Sequence, residues 1–172
     1  MSLLPLGILG CIALLAMLWI LLPKRWAAGK SLLLMVPCLA ATGVLDYLEL
    51  FRWNGLAFLL VKTCAEIIAV QLTAIILCRY RDFRAVFSGM TAAALVLPGN
   101  MVGTVTRIYT GHSAAALGVQ ILIHLLILAF LFFVVRLPYQ KNMEVATHFW
   151  GQMCLIPALC YLVQFFFAVW PS

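Results

Sequence analysis

The chain has 172 residues, of which 66% are hydrophobic and only 9% are charged. This composition excludes an ordinary soluble domain, because such domains carry about 25% charged residues. The charges lie between apolar runs of about 20 residues, the length at which a helix crosses a ~30 Å hydrocarbon core. These runs lack the two-residue alternation of a membrane barrel. We therefore expect an all-α membrane protein.

Six apolar runs follow one another along the chain. The first is followed by Pro23 and a basic cluster, the fourth contains Pro98 and Gly99, and the fifth is expected to end at Arg136 and Pro138. Proline inside a membrane helix favours a kink, so we predict one in the fourth helix. The sequence predicts a polytopic bundle of about six transmembrane helices, forming a single domain over residues 1–172, at about 3–22, 31–50, 56–78, 85–106, 113–135 and 149–170.

The Lys and Arg residues of the loops are distributed unevenly. The loops after the second and fourth helices carry only Arg52 and Arg107, whereas those after the first, third and fifth carry Lys24, Arg25, Lys30, Arg79, Arg81, Arg84, Arg136 and Lys141. The positive-inside rule places the richer loops in the cytoplasm, and both termini outside. Because this rule accounts for the net charge of +6, no nucleic-acid partner is implied. The expected partner is the lipid bilayer.

Charged residues inside the second and third runs form the first candidate site. Asp46 and Glu49 are three residues apart, and Lys62 and Glu66 are four apart, so each pair shares a helix face. Asp46 and Lys62 lie at similar depths, ~10–14 Å from the intervening turn near Trp53. We expect them to pair, because charges in hydrocarbon cost at least ~2.5–3.5 kcal/mol each. Three hypotheses stay open: a structural ion-pair network, a ligand or signal pocket open to the exterior, and a proton relay.

A second polar set lies on the fourth and fifth helices. Asn100 follows the Pro98–Gly99 pair, and Gln120 and His124 share a face of the fifth helix because they are four residues apart. They could line one cavity together with the first set. Alternatively they form interhelical hydrogen bonds, with His124 as a packing residue.

Motifs for enzymatic chemistry are missing from the sequence. His112, His124 and His148 lie on separate segments and form no H-x-x-x-H or H-E-x-x-H pattern, so we expect no metal site. Neither G-x-x-x-x-G-K nor G-x-G-x-x-G occurs, and no cofactor is implied. The six cysteines form no C-x-x-C pair and read as packing residues. A His148–Cys154 peptidase pair is the enzymatic alternative, although no neighbouring group activates the thiol.

Four segments carry a family resemblance. They read YRDFRAVFSGM at 80–90, VLPGN at 96–100, QILIH at 120–124 and WGQMCLIPALCY at 150–161. Together with the final Trp170 and Pro171, they resemble the membrane-embedded sensor region of GHKL-type histidine kinases of Gram-positive bacteria. The resemblance covers roughly residues 80–171.

This resemblance implies an input module in the bacterial plasma membrane that senses a peptide or small-molecule signal and works as a homodimer. No histidine begins the H-[ED]-x-x-N phospho-acceptor pattern, so we expect no kinase activity in this chain. It is expected to be a sensor fragment, with one further helix lost, or a degenerate stand-alone relative.

The alternative function is the substrate-binding membrane subunit of a small-solute, vitamin-type uptake transporter, which this chain resembles in size, charge and helix number. Such a subunit needs a helix surface of small residues, for which residues 92–94 and 114–116, all alanine, are candidates.

Overall fold

The structure, a computed structural model, describes residues 4–50, 56–145 and 149–169. This part of the chain is helical, and its only extended pairing is an isolated bridge between Lys24 and Cys78. The elements are α1 Leu4–Leu21, α2 Ala28–Leu50, α3 Leu56–Leu77, α4 Phe83–Thr110, α5 Ser113–Phe130, a π-helical turn Leu131–Val135, α6 Arg136–Val145, α7 Trp150–Met153 and α8 Leu155–Val169. The predicted turn through residues 52–55 lies outside the described residues.

The longest single helix, α4, lies at the centre of the bundle and packs against α1, α3, α5, α7 and α8. Its buried face consists mostly of small residues: Ala85, Ser88, Gly89, Ala92, Ala93, Ala94, Gly99 and Gly103. Small residues let membrane helices approach closely, so one helix can contact several neighbours. Residues 92–94 therefore face the bundle interior, and their predicted use as a partner surface is wrong. In the second run of alanines, Ala116 is buried, whereas Ala114 and Ala115 are exposed.

The fifth predicted helix does not end at Arg136 and Pro138. It passes through the π-helical turn, in which the Arg136 N–H bonds to the Leu131 carbonyl, five residues earlier. It then continues as α6 to Val145. Pro138 has no N–H, so one carbonyl of the preceding π-helical turn lacks its intrahelical donor. Pro98 likewise lies inside α4, which continues to Thr110, and the kink predicted there stays a prediction.

The sixth predicted helix is divided into α7 and α8. Pro157 has no N–H, so it cannot bond to the carbonyl of Met153, four residues earlier, which is where α7 ends. The Cys154 N–H still bonds to the Trp150 carbonyl at 3.1 Å, and Ala158 N bonds to the Cys154 carbonyl at 3.2 Å. The two segments therefore follow each other with only a local break.

The distribution of polar and apolar side chains is inverted relative to a soluble protein. Large apolar side chains such as Leu33, Ile108 and Phe133 are more than 70% exposed, whereas Gln120 and His124 are buried. Among the described residues, three helical segments are long and apolar enough to cross a membrane: Ala28–Leu48, Phe83–Thr110 and Ser113–Glu144. The shorter apolar helix Pro5–Leu21 accompanies them. These features support a helical membrane protein.

One end of the bundle, which we call the basic end, is formed by residues 22–27 and 78–82. Two backbone hydrogen bonds join these segments, from Arg25 N to the Leu77 carbonyl (3.0 Å) and from Arg79 N to the Pro23 carbonyl (2.9 Å). Six apolar residues within and next to these segments are at most 1% exposed: Met17, Leu18, Leu21, Leu22, Leu77 and Cys78. The basic end is thus tightly packed and cross-connected.

Candidate functional site

The predicted charged cluster is present in the opposite half of the bundle. Lys62 Nζ of α3 donates to Asp46 Oδ1 of α2 at 2.5 Å and lies 3.7 Å from Glu66 Oε1. The Lys62 and Asp46 side chains are only 12% and 10% exposed, whereas Glu66 is 32% exposed. The predicted pairing of Asp46 with Lys62 is therefore confirmed. Glu49 belongs to α2, but its side chain lies outside the described part of the structure.

Glycines of α1 make room for these polar side chains. Gly7 lies directly against the Asp46 carboxylate, and a methyl group at Gly10 would lie 2.7 Å from Asn100 Oδ1. Any side chain at these two positions would collide with the polar atoms. The absence of a side chain at Gly7 and Gly10 therefore leaves the room that Asp46 and Asn100 occupy inside the bundle.

A cavity of about 180 Å³ adjoins the charged cluster. It lies between α1, α2, α3, α4 and α8, and its polar lining consists of Cys11, Thr42, Asp46, Lys62, Glu66, Asn100 and Tyr161. At about 30 Å³ per liquid water molecule, the space matches roughly six waters or one compact organic molecule. We refer to this space as the polar cavity.

The hydrogen bonds of Thr42 orient one wall of the polar cavity. Its hydroxyl donates to the Cys38 carbonyl at 3.0 Å, and the Cys11 Sγ lies 2.8 Å from the same oxygen. Because the single hydroxyl proton points to the backbone, the Cys11 thiol is the donor in the second bond. Cys11 is therefore a polar wall residue. Cys38 and Cys78 are buried packing residues as predicted, whereas Cys64 and Cys160 are exposed.

The charge of the polar cavity is set by three lining residues, Asp46, Glu66 and Lys62. The lining therefore holds two carboxyl groups and one amino group, a formal excess of one acidic group. In a partly buried site of low dielectric constant, a carboxylate attracts a cation more strongly than it does in water.

The second predicted set connects to the polar cavity only through Asn100. Gln120 Nε2 donates to Asn100 Oδ1 at 2.8 Å and to the Leu6 carbonyl at 3.0 Å. His124 Nε2 lies 3.2 Å from the Val96 carbonyl, so it carries the proton and donates. Gln120 and His124 do not line the polar cavity, so the prediction that they share it with the charged set is wrong for this cavity. The alternative prediction, interhelical hydrogen bonds to α4, is confirmed.

Glycines of α4 likewise make room for Gln120 and His124. A methyl group at Gly99 of α4 would collide with the His124 ring, and one at Gly103 would lie 3.1 Å from Gln120 Oε1. The two glycines are four residues apart on α4, and the two polar residues are four apart on α5. This is a G-x-x-x-G contact in which the close approach accommodates polar side chains.

Another polar cluster, which was not predicted from the sequence, lies next to the basic end. Arg84, 8% exposed, donates from Nη1 to the Met143 carbonyl at 2.5 Å and from Nε to Asp82 Oδ2 at 2.8 Å. Its guanidinium lies 3.8 Å from the centre of the Tyr80 ring. Asp82 also caps α4 by accepting from Arg84 N at 2.9 Å. An Asp directly before a helix is an N-cap signal, which could have identified this cluster.

Arg84 affects the ionisation of the carboxylate beside it. The Arg84 side chain, by hydrogen bonding first and by its charge, holds the pKa of Asp82 below its usual value of 3.8. One turn further along α4, the Ser88 hydroxyl lies 2.9 Å from the Tyr139 hydroxyl of α6. These contacts fasten the start of α4 to α6. We therefore interpret the Arg84 cluster as a structural connection between these two helices.

Comparisons with known proteins identify no relative. No protein-family model matches the chain, and no curated protein or solved structure is significantly similar to it. The resemblance to kinase sensor regions therefore stays a prediction. Among the described residues, no group of three His, Cys, Asp or Glu side chains could hold a metal ion.

Proposed function

We propose that this chain binds a small solute bearing a protonated amine in the polar cavity, entered from the exterior, and that it serves as the input module of a bacterial membrane sensor. The supporting observation is the cavity of about 180 Å³ beside a partly buried cluster of two carboxyl groups and one amino group. An ion pair that served packing alone would be expected to have its charged groups in contact with neighbouring side chains and without adjacent space, as the Arg84 side chain, 10% exposed, is.

The size and charge of the cavity determine the class of ligand. A molecule of amino-acid size fits the volume, and one positive charge would neutralise the lining. A primary amine could donate to Asp46 and Glu66 in place of Lys62, while Asn100 and Tyr161 supply neutral hydrogen-bonding groups. Bulky peptides exceed this volume, so we favour a small molecule among the signals that the resemblance implies.

The proposed topology has six spans in the bacterial plasma membrane, with both termini outside. The 18 residues of α1 measure about 27 Å, close to the hydrocarbon thickness, and the basic end carries Lys24, Arg25, Arg79 and Arg81. Single cysteines in a cysteine-free background should be labelled only from the cytoplasm near Lys24, Asp82 and Lys141. Positions near Asn54 and Gly111 should be labelled only from outside. Exterior labelling near Asp82 would overturn the topology.

Binding is tested by thermal unfolding of the purified chain in neutral detergent with a panel of amino acids, diamines and quaternary amines. Matched carboxylic acids of the same size serve as negative controls. An amine at 100 times its Kd should stabilise the protein by about 2.7 kcal/mol. Asp46→Asn and Glu66→Gln should abolish this gain, whereas Glu144→Gln, an exposed carboxylate on α6, should retain it. Stabilisation by the acids, or full retention in Asp46→Asn, would refute the proposal.

The role as a sensor input is separable from binding. The coding sequence beyond Ser172 distinguishes it from an uptake subunit, since a further helix followed by an ATP-binding region is expected only for the sensor. The uptake alternative relied partly on residues 92–94 as a partner surface, and these alanines are buried. As the sensor resemblance implies, we expect the chain to form a homodimer and to act together with a kinase region. The chain itself should remain unphosphorylated when it is incubated with labelled ATP.

A further inference from the structure

A long apolar groove lies on the outside of the bundle in the half next to the basic end. Its floor is α1 and its walls are α2 and the region from α5 through the π-helical turn, with a volume of about 940 Å³. On α1 the lining extends from Ile12 to Ile20, a length of about 12 Å. This length is most of one ~15 Å leaflet of the hydrocarbon core. The lining is almost entirely apolar, so the groove suits an acyl chain.

Cations lie at the basic end of this groove. Lys24 Nζ is 3.4 Å from the centre of the Trp19 ring, and the Arg136 guanidinium is 5.2 Å from that of Phe132. Both rings line the groove. The pKa of Lys24 is lowered first by burial and then by the nearby charge of Arg136. The apolar groove therefore ends at a pair of positive charges.

Further basic side chains extend this positive region. Lys24 also lines a pocket with Arg25, Arg79 and Arg81, and the two backbone hydrogen bonds of the basic end hold these segments together. Within the described part of the chain, carboxylates form ion pairs with Lys62 and Arg84 and with none of these four residues or Arg136. The positive charge is therefore available to an anion from outside the protein.

We propose that this groove and its cations form a binding site for one anionic phospholipid of the cytoplasmic leaflet. An acyl chain lies along α1 between α2 and α5, and the lipid phosphate contacts Lys24 and Arg136. The combination favours this occupant over an apolar helix of a second copy, which would leave the cations without a partner. Basic pockets between membrane helices on the cytoplasmic side suit anionic headgroups, at about 1 kcal/mol per Lys or Arg. The site goes beyond solute binding in the polar cavity.

The test measures quenching of Trp19 fluorescence by lipids with brominated acyl chains, in the purified, delipidated chain in neutral detergent. Phosphatidylglycerol should quench at concentrations about tenfold to thirtyfold below those of phosphatidylcholine with identical chains, as expected for two cation contacts. Trp19→Phe identifies the quenched signal. Equal quenching by the two lipids would overturn the proposal, as would full competition by inorganic phosphate, which has no chain to fill the groove.

Matched variants separate the headgroup from the chain. The double change Lys24→Gln with Arg136→Gln should remove the preference for phosphatidylglycerol. Lys30→Gln with Lys141→Gln, which removes the same charge from exposed positions near the same end, should retain it. Ala16→Phe, which fills the groove, should weaken binding of both lipids. If Ala16→Phe instead separated a dimer and left lipid binding unchanged, a second copy would be the occupant and the proposal would fail. The assay uses neither membrane orientation nor amine binding, so its failure is distinguishable from failure of the proposed function.

Discussion

The two ion-pair clusters of this bundle differ in what surrounds them. At the basic end, the Arg84 side chain bonds to Asp82 and to a backbone carbonyl of α6, above a core that is almost completely buried. In the other half, Lys62 lies between Asp46 and Glu66 beside about 180 Å³ of space. The first cluster holds helices together, whereas the second has an excess charge and room for a ligand. The space next to buried charged groups is what makes the second cluster the proposed binding site.

The largest effect is expected at the basic end. Arg84→Met removes charge-assisted hydrogen bonds to the Met143 carbonyl and to Asp82. At about 1.5–3 kcal/mol for each such bond, it should lower the free energy of unfolding by about 3–4 kcal/mol. Arg81→Met, an exposed residue on the same segment, should change stability by less than about 0.5 kcal/mol. Thermal unfolding in detergent measures both variants. Equal melting temperatures for the two would contradict a structural role for Arg84.

Breaking the pair in the polar cavity should cost less. Lys62→Met leaves Asp46 and Glu66 without their cation, but water can enter the adjacent space, so we expect a loss of about 2–3 kcal/mol. Adding Asp46→Asn to Lys62→Met should recover much of this loss, because one uncompensated carboxylate disappears. Strictly additive single and double effects would show that the two side chains do not interact energetically.

A smaller effect is expected at the glycines that make room for polar side chains. Gly99→Ala places a methyl group 2.7 Å from Cδ2 of His124, so it should displace the ring from the Val96 carbonyl and cost about 1–2 kcal/mol. Gly118→Ala on α5, where no atom lies within 4 Å, should be neutral or stabilising by up to about 1 kcal/mol. The difference in melting temperature between the two alanine variants is the measurement. If Gly99→Ala proved the more stable variant, the missing side chain at Gly99 would have no steric role.

The smallest effect is a pH dependence confined to the basic end. Because the folded pKa of Asp82 is lowered by Arg84, its contribution is present at neutral pH and is lost as the pH falls from about 4 through the folded value. Unfolding curves of the wild type and of Asp82→Asn should therefore converge in acid and separate above about pH 4. Parallel curves across the whole range would argue against this ionisation contributing to stability.

The helices and the charged pair could be predicted from sequence, but their surroundings could not. Apolar runs of membrane length place most helix ends within a few residues, and equal depth on adjacent helices predicts the Asp46–Lys62 contact. The interior position of residues 92–94 depends on which face of α4 its neighbours cover, which composition does not reveal. Pro138 appeared to be a helix end because the preceding π-helical turn leaves no local sequence signal.

The glycines that make room for polar side chains could not be identified from the sequence. Gly7 and Gly10 look like ordinary small residues of an apolar helix, and their meaning appears only when the carboxylate and amide opposite them are in place. The space beside Lys62 likewise depends on five helices at once. Steric complementarity between distant segments is a tertiary property, so single-sequence patterns predict the charged residues of the site but not its shape.

The π-helical turn at Leu131–Val135 has a consequence for how this chain could change over evolutionary time. Such a turn holds one residue more than an α-helical turn, so it behaves as an insertion already absorbed inside a continuous helix. Losing one of these five residues would restore regular α-helical winding without turning the residues downstream, because the π-helical turn absorbs the extra residue that would otherwise rotate them by about 100°. Tyr139 would then still face Ser88, and the Met143 carbonyl would still face Arg84. Relatives that lack this residue should therefore keep the partners of Tyr139 and Arg84, so a gap of one residue at this position is compatible with the same docking of α6.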